Sequence, residues 1–335
     1  MARVDIAVPC YNYGRFLGDC AGSILSQSHQ DLRLLIIDNA STDDSLAVAH
    51  AIAAGDDRVE ILAHPKNLGP HASYNAGVDW ASGDYFLLLD ADDLLTPGSL
   101  ERSVAIMEAN RDITFVHGRE LCLPLAAGEQ PALDPEPAGP AWEIIGGRDY
   151  ILRRCRDPQN TIGSPTVLRR VSAQKQIGHY RASLPYTDDF EMWLRLATLG
   201  RVAETTAAQG IRRLHGAQAT EAYREVPARD FVQHMAAFDS FFANEGASLP
   251  DAAKLHRFVR RTIAVNALWY GLWRRREGDA RNAELCIQYG LTLNAAATAP
   301  RLIKRLLVGE IGMSEARGYL AALLTGRPSG QLAAH

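Results

Sequence analysis

The most constraining feature of this sequence is a regular alternation of strand-like and helix-like patterns over its first 118 residues. Segments with helical spacing separate short apolar runs at 4–8, 33–38, 58–64, 85–90 and 113–118. Helices between successive strands predict βαβ units and a mainly parallel sheet that is covered on both faces. We therefore predict an α/β, Rossmann-like fold, in which ligands bind at the carboxyl ends of strands.

The rest of the chain departs from this alternation. Residues 120–142 are rich in Pro, Gly and Ala and predict a long loop, and loops of that length are commonly functional or disordered. From residue 226 onward the apolar pattern is helical throughout. The predicted domains are residues 1–220, divided at this loop into 1–118 and 143–220, and a helical C-terminal region at 226–330.

Charge and cysteine content exclude several classes of protein. A formal net charge of -4 argues against a general nucleic-acid binder. The five cysteines are scattered without a CxxC pair, which favours a reducing cytoplasm over a disulfide framework or a zinc site. The apolar run near the N-terminus is too short for a signal peptide, and no run reaches the roughly 18 residues of a membrane span. We predict a soluble, cytoplasmic protein.

The charge is unevenly distributed along the chain. Residues 251–335 contain 13 Lys and Arg against 6 Asp and Glu, a balance of +7, which leaves -11 for residues 1–250. Such a basic region could lie against an anionic membrane surface or an acidic partner. Solvated helix faces would give the same pattern.

An acidic cluster follows the fourth apolar run, where "DYFLLLDADD" ends in Asp90, Asp92 and Asp93. Carboxylates at i and i+2 past a strand end can both reach one Mg²⁺ or Mn²⁺, which suggests a metal–diphosphate site. A solvated acidic turn at the start of the next helix would also fit. The segment also looks like the nucleophile motif of haloacid-dehalogenase phosphatases. That motif normally lies near the N-terminus and needs a later GDxxxD-type pair, which we do not find.

Four segments in order resemble family 2 glycosyltransferases, which are inverting nucleotide-sugar enzymes with the GT-A fold. They are "VDIAVPCYNYGRFLGDCAGSILSQSHQDLRLLIIDNASTDDS", "NLGPHASYNAGVDWASGDYFLLLDADD", "YTDDFEMWLRLATLG" and "RRLHGAQAT". Any one of these motifs alone would be a weak signal, but all four in sequence are specific. The resemblance spans most of residues 4–216 and does not extend over 226–335. It implies that residues 1–118 are the nucleotide-binding half of the first domain and residues 143–220 its acceptor half.

The resemblance implies a role for individual residues. It assigns nucleotide binding to Pro9, Tyr11, Asp38, Asn67, Gly69 and Asp90. It implies that Asp92 is the direct ligand of Mn²⁺ or Mg²⁺, with His215 as a further metal ligand or phosphate contact and Arg213 as a phosphate contact. For Asp38, a cap of a helix or turn is the alternative.

The resemblance also identifies a catalytic carboxylate. Asp189 matches the general base that deprotonates the acceptor hydroxyl, and Asp188 either shares that task or caps the helix. Inversion needs one direct displacement and no second carboxylate as nucleophile. The acids at 38, 90, 92 and 189 favour an enzyme over the alternative of an inactive nucleotide-sugar binder.

Further expectations concern substrates and partners. The family implies a nucleotide-sugar donor, UDP- or dTDP-linked, and a saccharide or lipid-linked saccharide acceptor in cell-surface polysaccharide or glycoconjugate synthesis. The basic C-terminal helices could place the protein at the inner face of the membrane or mediate homodimer formation.

Overall fold

The computed structural model describes residues 2–129, 131, 133, 136, 139–216 and 227–307. The chain divides into two compact units, one formed by residues 1–151 and 160–216, and the other by 152–159 and 217–335. The predicted domain limits at 220, 226 and 330 lie outside the described residues. They remain a proposal.

A mixed, mainly parallel sheet forms the first unit. Its strands are β1 (Val4–Cys10), β2 (Leu32–Asp38), β3 (Val59–Ala63), β4 (Tyr85–Leu88), β5 (Leu94–Leu95), β6 (Ile113–Leu123), β7 (Trp142–Ile145), β8 (Leu168–Arg170) and β9 (Arg201–Arg213). The order is β3-β2-β1-β4-β8-β6-β9-β5, and β7 pairs with β9. The pairs β1–β2, β1–β4, β2–β3 and β6–β9 are parallel. The predicted α/β architecture is confirmed.

Helices follow the strands in the alternation that the sequence predicts. They are α1 (Gly14–Leu25), α2 (Ser45–Gly55), α3 (Pro70–Trp80), α4 (Ser99–Ala109), α5 (Gly147–Arg156), α6 (Val171–Ile177) and α7 (Asp188–Ala197). Strands β1, β2 and β4 are buried along nearly their whole length because helices cover both faces. Their carboxyl ends, at Cys10, Asp38 and Leu88, therefore lie at one edge of the sheet.

The second half of the sheet was not visible as separate strands in the sequence. β6 continues to Leu123, beyond the predicted run at 113–118, because it pairs along its length with the long strand β9. The loop predicted at 120–142 is therefore shorter, since β6 includes its first residues and β7 begins at Trp142. Antiparallel pairing of β5 with β9 fixes the chain just after the acidic cluster.

The second unit is helical in its described residues, as predicted. Its helices are α8 (Pro227–Ala243), α9 (Ala252–Arg276), α10 (Ala280–Leu293) and α11 (Ala295–Leu307). Helices α9 and α10 pack closely where Gly290 faces α9, since a Cβ on Gly290 would lie 2.6 Å from the carbonyl oxygen of Ala264. None of the helices in the described part of the chain combines the length and hydrophobicity that a bilayer crossing requires.

Candidate active site

The acidic cluster lies in a tight turn at the carboxyl end of β4. The amide of Leu89 donates to Ala7 of β1 (3.0 Å), and the amide of Asp93 donates to the carbonyl of Asp90 (3.0 Å). Asp92 and Asp93 are 8% and 4% exposed, and Asp90 is partly buried. The turn therefore holds three carboxylates in surroundings that disfavour their charge.

Electrostatic repulsion dominates this turn. Burial, followed by the charges of Asp92, Asp188, Asp189 and Glu120, raises the pKa of Asp90 well above its ordinary value. Burial together with the neighbouring aspartates also raises the pKa of Asp93, against the lowering effect of an amide hydrogen bond. The site concentrates more negative charge than the surrounding protein compensates, and a bound divalent cation would relieve that repulsion.

Asp92 and His215, the two predicted metal ligands, lie together in the structure. Nε2 of His215 is 3.0 Å from Oδ2 of Asp92, although the residues are far apart in sequence. The imidazole packs against the ring of Phe16 of α1 (centroids 4.7 Å apart) and the edge of Tyr13 (5.7 Å). These aromatic contacts fix the ring beside the carboxylate.

This pair fits a cation that takes part of its coordination from substrate. Among the described residues, no three His, Cys, Asp or Glu side chains form a complete ligand set. Mg²⁺ is usually bound by one or two protein carboxylates together with substrate phosphates and water, and imidazole is a good ligand for transition metals. Asp92 and His215 would hold such an ion, which would supply charge stabilisation at a leaving diphosphate.

Arg213 does not take the position predicted for it. Its side chain is fully buried beside Phe16. The guanidinium donates to the carbonyl oxygens of Asp92 (3.0 Å) and Leu125 (3.3 Å) and to the carboxylate of Asp19 (3.1 Å). The prediction of a phosphate contact does not agree with this placement. Arg213 instead ties the acidic turn to α1 and to the segment after β6.

Asp38 lies at the carboxyl end of β2, and one of its oxygens has no hydrogen-bond partner in the part of the chain that the structure describes. It is 3% exposed, and its Oδ2 accepts a hydrogen bond from the amide of Ser41 (3.2 Å). Its Oδ1 is buried and has no hydrogen-bond partner among the described residues. A buried carboxylate oxygen without a donor is costly, and the ring N–H of a uracil or thymine base would satisfy it. The other oxygen, Oδ2, makes the turn-cap contact that is the alternative role for Asp38, and base binding by Asp38 stays a prediction.

Asn39 organises the loop that contains two of the predicted nucleotide-binding residues, and the sequence reasoning missed it. Its Nδ2 donates to Oδ1 of Asn67 (3.1 Å) and to the carbonyl of Gly69 (3.2 Å), and its Oδ1 accepts from the amide of Leu68 (2.9 Å). Gly69 has φ +82°, a left-handed conformation that favours glycine. A polar residue at a parallel strand end was the signal that could have identified Asn39.

The turn after β1 is joined to the turn after β2. Asn12 has φ +59°, and its side-chain Oδ1 accepts from the backbone amide of Thr42 (2.7 Å). The backbone amide of Asn12 donates to Ser41 Oγ (3.0 Å). Pro9 lies on β1, and Tyr11 is 43% exposed in this turn. An aromatic ring held at that exposure by a rigid turn is available to stack on a base.

The acid pair Asp188 and Asp189 begins α7, where the helix dipole stabilises negative charge. Nε2 of His71 on α3 lies 3.3 Å from Oδ2 of Asp188. Nδ2 of Asn160 donates to Oδ2 of Asp189 (2.8 Å). Because both acids raise the pKa of Asp90, α7 is near enough to the acidic turn to contribute to the same site.

The remainder of α7 fixes this helix in the core. Trp193 is 1% exposed and stacks on Phe115 of β6, so it is a core residue. Arg195 pairs with the fully buried Glu191 (2.7 Å) and donates to two carbonyl oxygens at and just after the end of α6. Satisfied buried charges of this kind hold the helix start in one position.

Comparison with curated proteins finds similar chains among bacterial glycosyltransferases. The chain is 28% identical over 236 residues to an uncharacterised glycosyltransferase of Haemophilus influenzae, which covers 66% of this chain and 68% of the relative. Putative glycosyltransferase EpsE of Bacillus subtilis is 30% identical over 201 residues, or 58% of this chain and 66% of EpsE. A second H. influenzae relative is 36% identical over 118 residues, 35% of this chain and 47% of that protein. The aligned regions thus span between 47% and 68% of these relatives.

Solved structures share the fold. TarS residues 1–349 of S. aureus, in complex with UDP-GlcNAc, superposes with a TM-score of 0.62 at 14% identity, over 97% of this chain and 89% of that one. A mannosyltransferase of Pyrobaculum calidifontis, in complex with GDP-Man and Mn²⁺, gives 0.53 at 16% identity, over 97% and 86%. These similarities establish the GT-A-like fold and confirm the predicted fold class.

A family model describes the first half of the chain. It matches residues 5–175, a range that contains β1 to β4, the acidic turn and the loop held by Asn39. Together with the names of the relatives, this match supports a glycosyltransferase activity. The protein belongs to glycosyl transferase family 2.

Proposed function

We propose that the protein is an inverting glycosyltransferase that uses a divalent metal ion, Mn²⁺ or Mg²⁺, to move a sugar from a nucleoside-diphosphate donor to an acceptor hydroxyl. One observation carries the proposal. The acidic turn, the Asp92–His215 pair and the acids at the start of α7 share one electrostatic environment at the carboxyl edge of the sheet. That arrangement suits a reaction in which a diphosphate leaves and a hydroxyl loses a proton.

The nucleotide would occupy the turns after β1 and β2. Asp38 Oδ1 accepts the N–H of a pyrimidine base, Tyr11 packs on the base, and the loop held by Asn39 encloses the nucleotide from the α3 side. Asp90 accepts a ribose hydroxyl. A uridine or thymidine donor suits this set because both bases carry a ring N–H.

The chemical step needs one base. The acceptor oxygen forms a bond to the anomeric carbon and passes its proton to the carboxylate of Asp189. The bond from the anomeric carbon to the diphosphate oxygen breaks, and its electron pair stays on the diphosphate. Asp189 lies in the first turn of α7, where the helix dipole favours negative charge.

The test is a thermal-shift series with UDP, dTDP and GDP, each with and without Mn²⁺, followed by a transfer assay with the matching nucleotide sugar. Ligands that bind the native state raise the melting temperature by mass action, so a Mn²⁺-dependent shift with one nucleotide identifies the donor class. Asp189→Asn should keep that shift and reduce transfer by at least about 10²-fold. A shift without transfer by the wild type against any acceptor would indicate an inactive nucleotide-sugar binder. Release of inorganic phosphate would indicate a phosphatase.

We also propose a cytoplasmic enzyme that contacts the inner membrane surface through the second unit and acts in cell-surface polysaccharide or glycoconjugate synthesis on a saccharide or lipid-linked acceptor. Three aromatic residues at helical spacing on α9 support the membrane contact: Phe258, Trp269 and Trp273 are 40%, 39% and 48% exposed. Arg261 and Arg276 are exposed on the same helix. Interfacial helices combine aromatic and basic residues in this way. The same surface is the candidate contact for a homodimer.

A further inference from the structure

The two acids at the start of α7 lie beside different partners. Asp188 lies against the imidazole of His71 on α3, the helix that follows the loop held by Asn39. Asp189 accepts a hydrogen bond from the neutral amide of Asn160, in a segment outside every motif identified in the sequence. The pair is therefore asymmetric although its members are adjacent and chemically identical.

We propose that Asn160 is a positioning residue that orients the carboxylate of Asp189 toward the acceptor hydroxyl. This inference rests on the proposed function and adds a residue to it. Asn160 does not touch substrate in this proposal and acts only through Asp189.

The orientation of the Asn160 amide follows from its hydrogen bonds. Its Oδ1 accepts from the amide of Ile162 (3.3 Å), which leaves Nδ2 to donate to Oδ2 of Asp189 at 2.8 Å. An amide has one acceptor oxygen and one donor nitrogen, so the contact with Ile162 selects which atom faces the carboxylate. The hydrogen bond from Ile162 thus fixes the side chain of Asn160, whose amide nitrogen in turn orients the carboxylate of Asp189.

Asp189 needs such a partner because its neighbours repel it. Asp188 is adjacent, and Asp90 is close enough for the charge of Asp189 to raise its pKa. Asp189 is partly exposed, so its carboxylate has room to rotate toward water. The amide of Phe190 holds Oδ1 (2.6 Å) and Asn160 holds Oδ2, and together they fix the plane of the carboxylate.

A neutral donor suits a base better than a cation would. A lysine or arginine at position 160 would hold the carboxylate but would also neutralise its charge and reduce its tendency to take a proton. An amide orients the group with a smaller effect on its basicity. Small errors in the position of a reacting group can cost about 10²-fold in rate.

The experiment compares Asn160→Asp, Asn160→Ala and wild type for kcat, donor KM and the nucleotide-dependent thermal shift. Asn160→Asp has the same shape but replaces the donor by a carboxylate that repels Asp189. We expect kcat to fall about 10²-fold in Asn160→Asp and about 10-fold or more in Asn160→Ala. Donor KM should stay within about threefold of the wild-type value, because the nucleotide site is intact. For the same reason the thermal shift should equal that of wild type within error.

Asn110→Ala provides the control for loss of a partly buried asparagine. Asn110 follows α4, donates to Ile106 (3.0 Å) and accepts from Arg201 (3.3 Å), and it lies outside the proposed machinery. We expect its kcat to equal that of wild type even if its melting temperature falls.

Two results would overturn the inference. One is a kcat within about threefold of wild type in both Asn160 variants, and the other is a loss expressed only as a higher donor KM. Both are distinguishable from failure of the proposed function, in which wild type itself would not transfer sugar or Asp189→Asn would stay active.

Discussion

At the residue scale, Asp5 shows how this chain tolerates a buried charge away from the candidate active site. It is fully buried at the N-terminal end of the sheet and accepts hydrogen bonds from Arg33 (2.9 and 2.7 Å) and from the amides of Ser82 and Gly83 (2.7 Å each). Burial raises its pKa, but these donors outweigh that effect and the pKa is lowered overall. The pKa of Asp90 is shifted in the opposite direction, because its neighbours are carboxylates and not hydrogen-bond donors. The two residues therefore differ in their partners rather than in being buried.

Asp5→Asn should lower the free energy of unfolding at pH 7 by about 3 kcal/mol, since it leaves Arg33 without its buried counter-charge. Because the folded pKa of Asp5 is depressed, its contribution is complete above the unfolded value near 4 and is lost as the pH falls below it. Urea unfolding of wild type should show a decline in stability below about pH 4 that is shallower in the variant. Asp112→Asn, which removes an exposed pair with Arg201, should have a much smaller effect at pH 7. Equal slopes for Asp5→Asn and wild type would contradict the assignment.

A second prediction at this scale concerns Asp92 and His215. Asp92→Asn and His215→Ala should each remove most of the Mn²⁺-dependent part of the nucleotide thermal shift and leave the metal-independent part, because Asp38 and Tyr11 remain. Titration of Mn²⁺ in the presence of saturating nucleotide measures the change, which we expect to be 10-fold or more in apparent affinity. Unchanged Mn²⁺ affinity in both variants would remove these residues from the metal site.

At the element scale, helix α3 joins the loop held by Asn39 to the acid pair. It begins after Gly69, carries His71 as its second residue and is bonded through Asn75 to the backbone of Tyr180 (2.8 and 3.1 Å). It can lie close to β1 because Gly77 has no side chain, since a Cβ there would lie 2.6 Å from Cβ of Ala7. The position of α3 therefore depends on this contact as well as on its ends.

Gly77→Ala should destabilise the protein although alanine is the better helix former. The gain in helix propensity is about 1 kcal/mol, whereas overpacking costs about 1–3 kcal/mol and displaces α3 from β1. Gly18→Ala in α1 is the matched control, because no atom lies within 4 Å of its added Cβ, and we expect it to stabilise by up to about 1 kcal/mol. Urea unfolding measures both, and stabilisation by Gly77→Ala would contradict the close packing.

At the scale of the whole molecule, charge is separated along the chain. The +7 balance of residues 251–335 accompanies the exposed aromatic residues of α9, while residues 1–250, with a balance of -11, contain the acidic turn. In the proposed function, a bound cation would attract a negative donor to the acidic site, and the basic helices would suit anionic lipid.

Trp269→Ala combined with Trp273→Ala should weaken binding to phosphatidylglycerol vesicles by about 10-fold or more, as loss of two interfacial aromatic residues removes apolar burial. Sedimentation with vesicles at low and high salt measures this, and wild-type binding should fall as salt rises. Leu62→Ala, which alters an exposed apolar residue on β3, should bind like wild type. Absence of wild-type binding at low salt would contradict the membrane proposal, and a dimer lost in the tryptophan variant would assign the surface to self-association.

Strands β1, β2 and β4 could be predicted because their residues are buried on both faces and produce nearly continuous apolar runs. Asp38 and Asp90 could be placed at the ends of β2 and β4 by topology alone. The juxtaposition of Asp92 with His215 followed from family resemblance and not from any local pattern. It depends on β9, whose partners β5, β6 and β7 lie far from it in sequence.

Arg213 and Asn160 show where such reasoning stops. A motif can identify an arginine, but it cannot show that the guanidinium donates its hydrogen bonds to backbone carbonyl oxygens, as that of Arg213 does. Asn160 carries no pattern at all, since a single asparagine in an irregular segment is indistinguishable from a turn residue. Both side chains acquire their roles only through contacts between distant segments.

The pairing of β5 with β9 has a consequence for synthesis on the ribosome. In the described residues, β5 has no strand partner except β9, so the chain just after the acidic turn gains its ladder only once residues 201–213 have emerged. A nascent chain that ends before that point can align β1, β2 and β3 and bring together the turns after β1 and β2, but it lacks His215, and its three clustered aspartates remain without Arg213. Catalytic competence would thus be acquired in a single late event, when one strand closes the sheet.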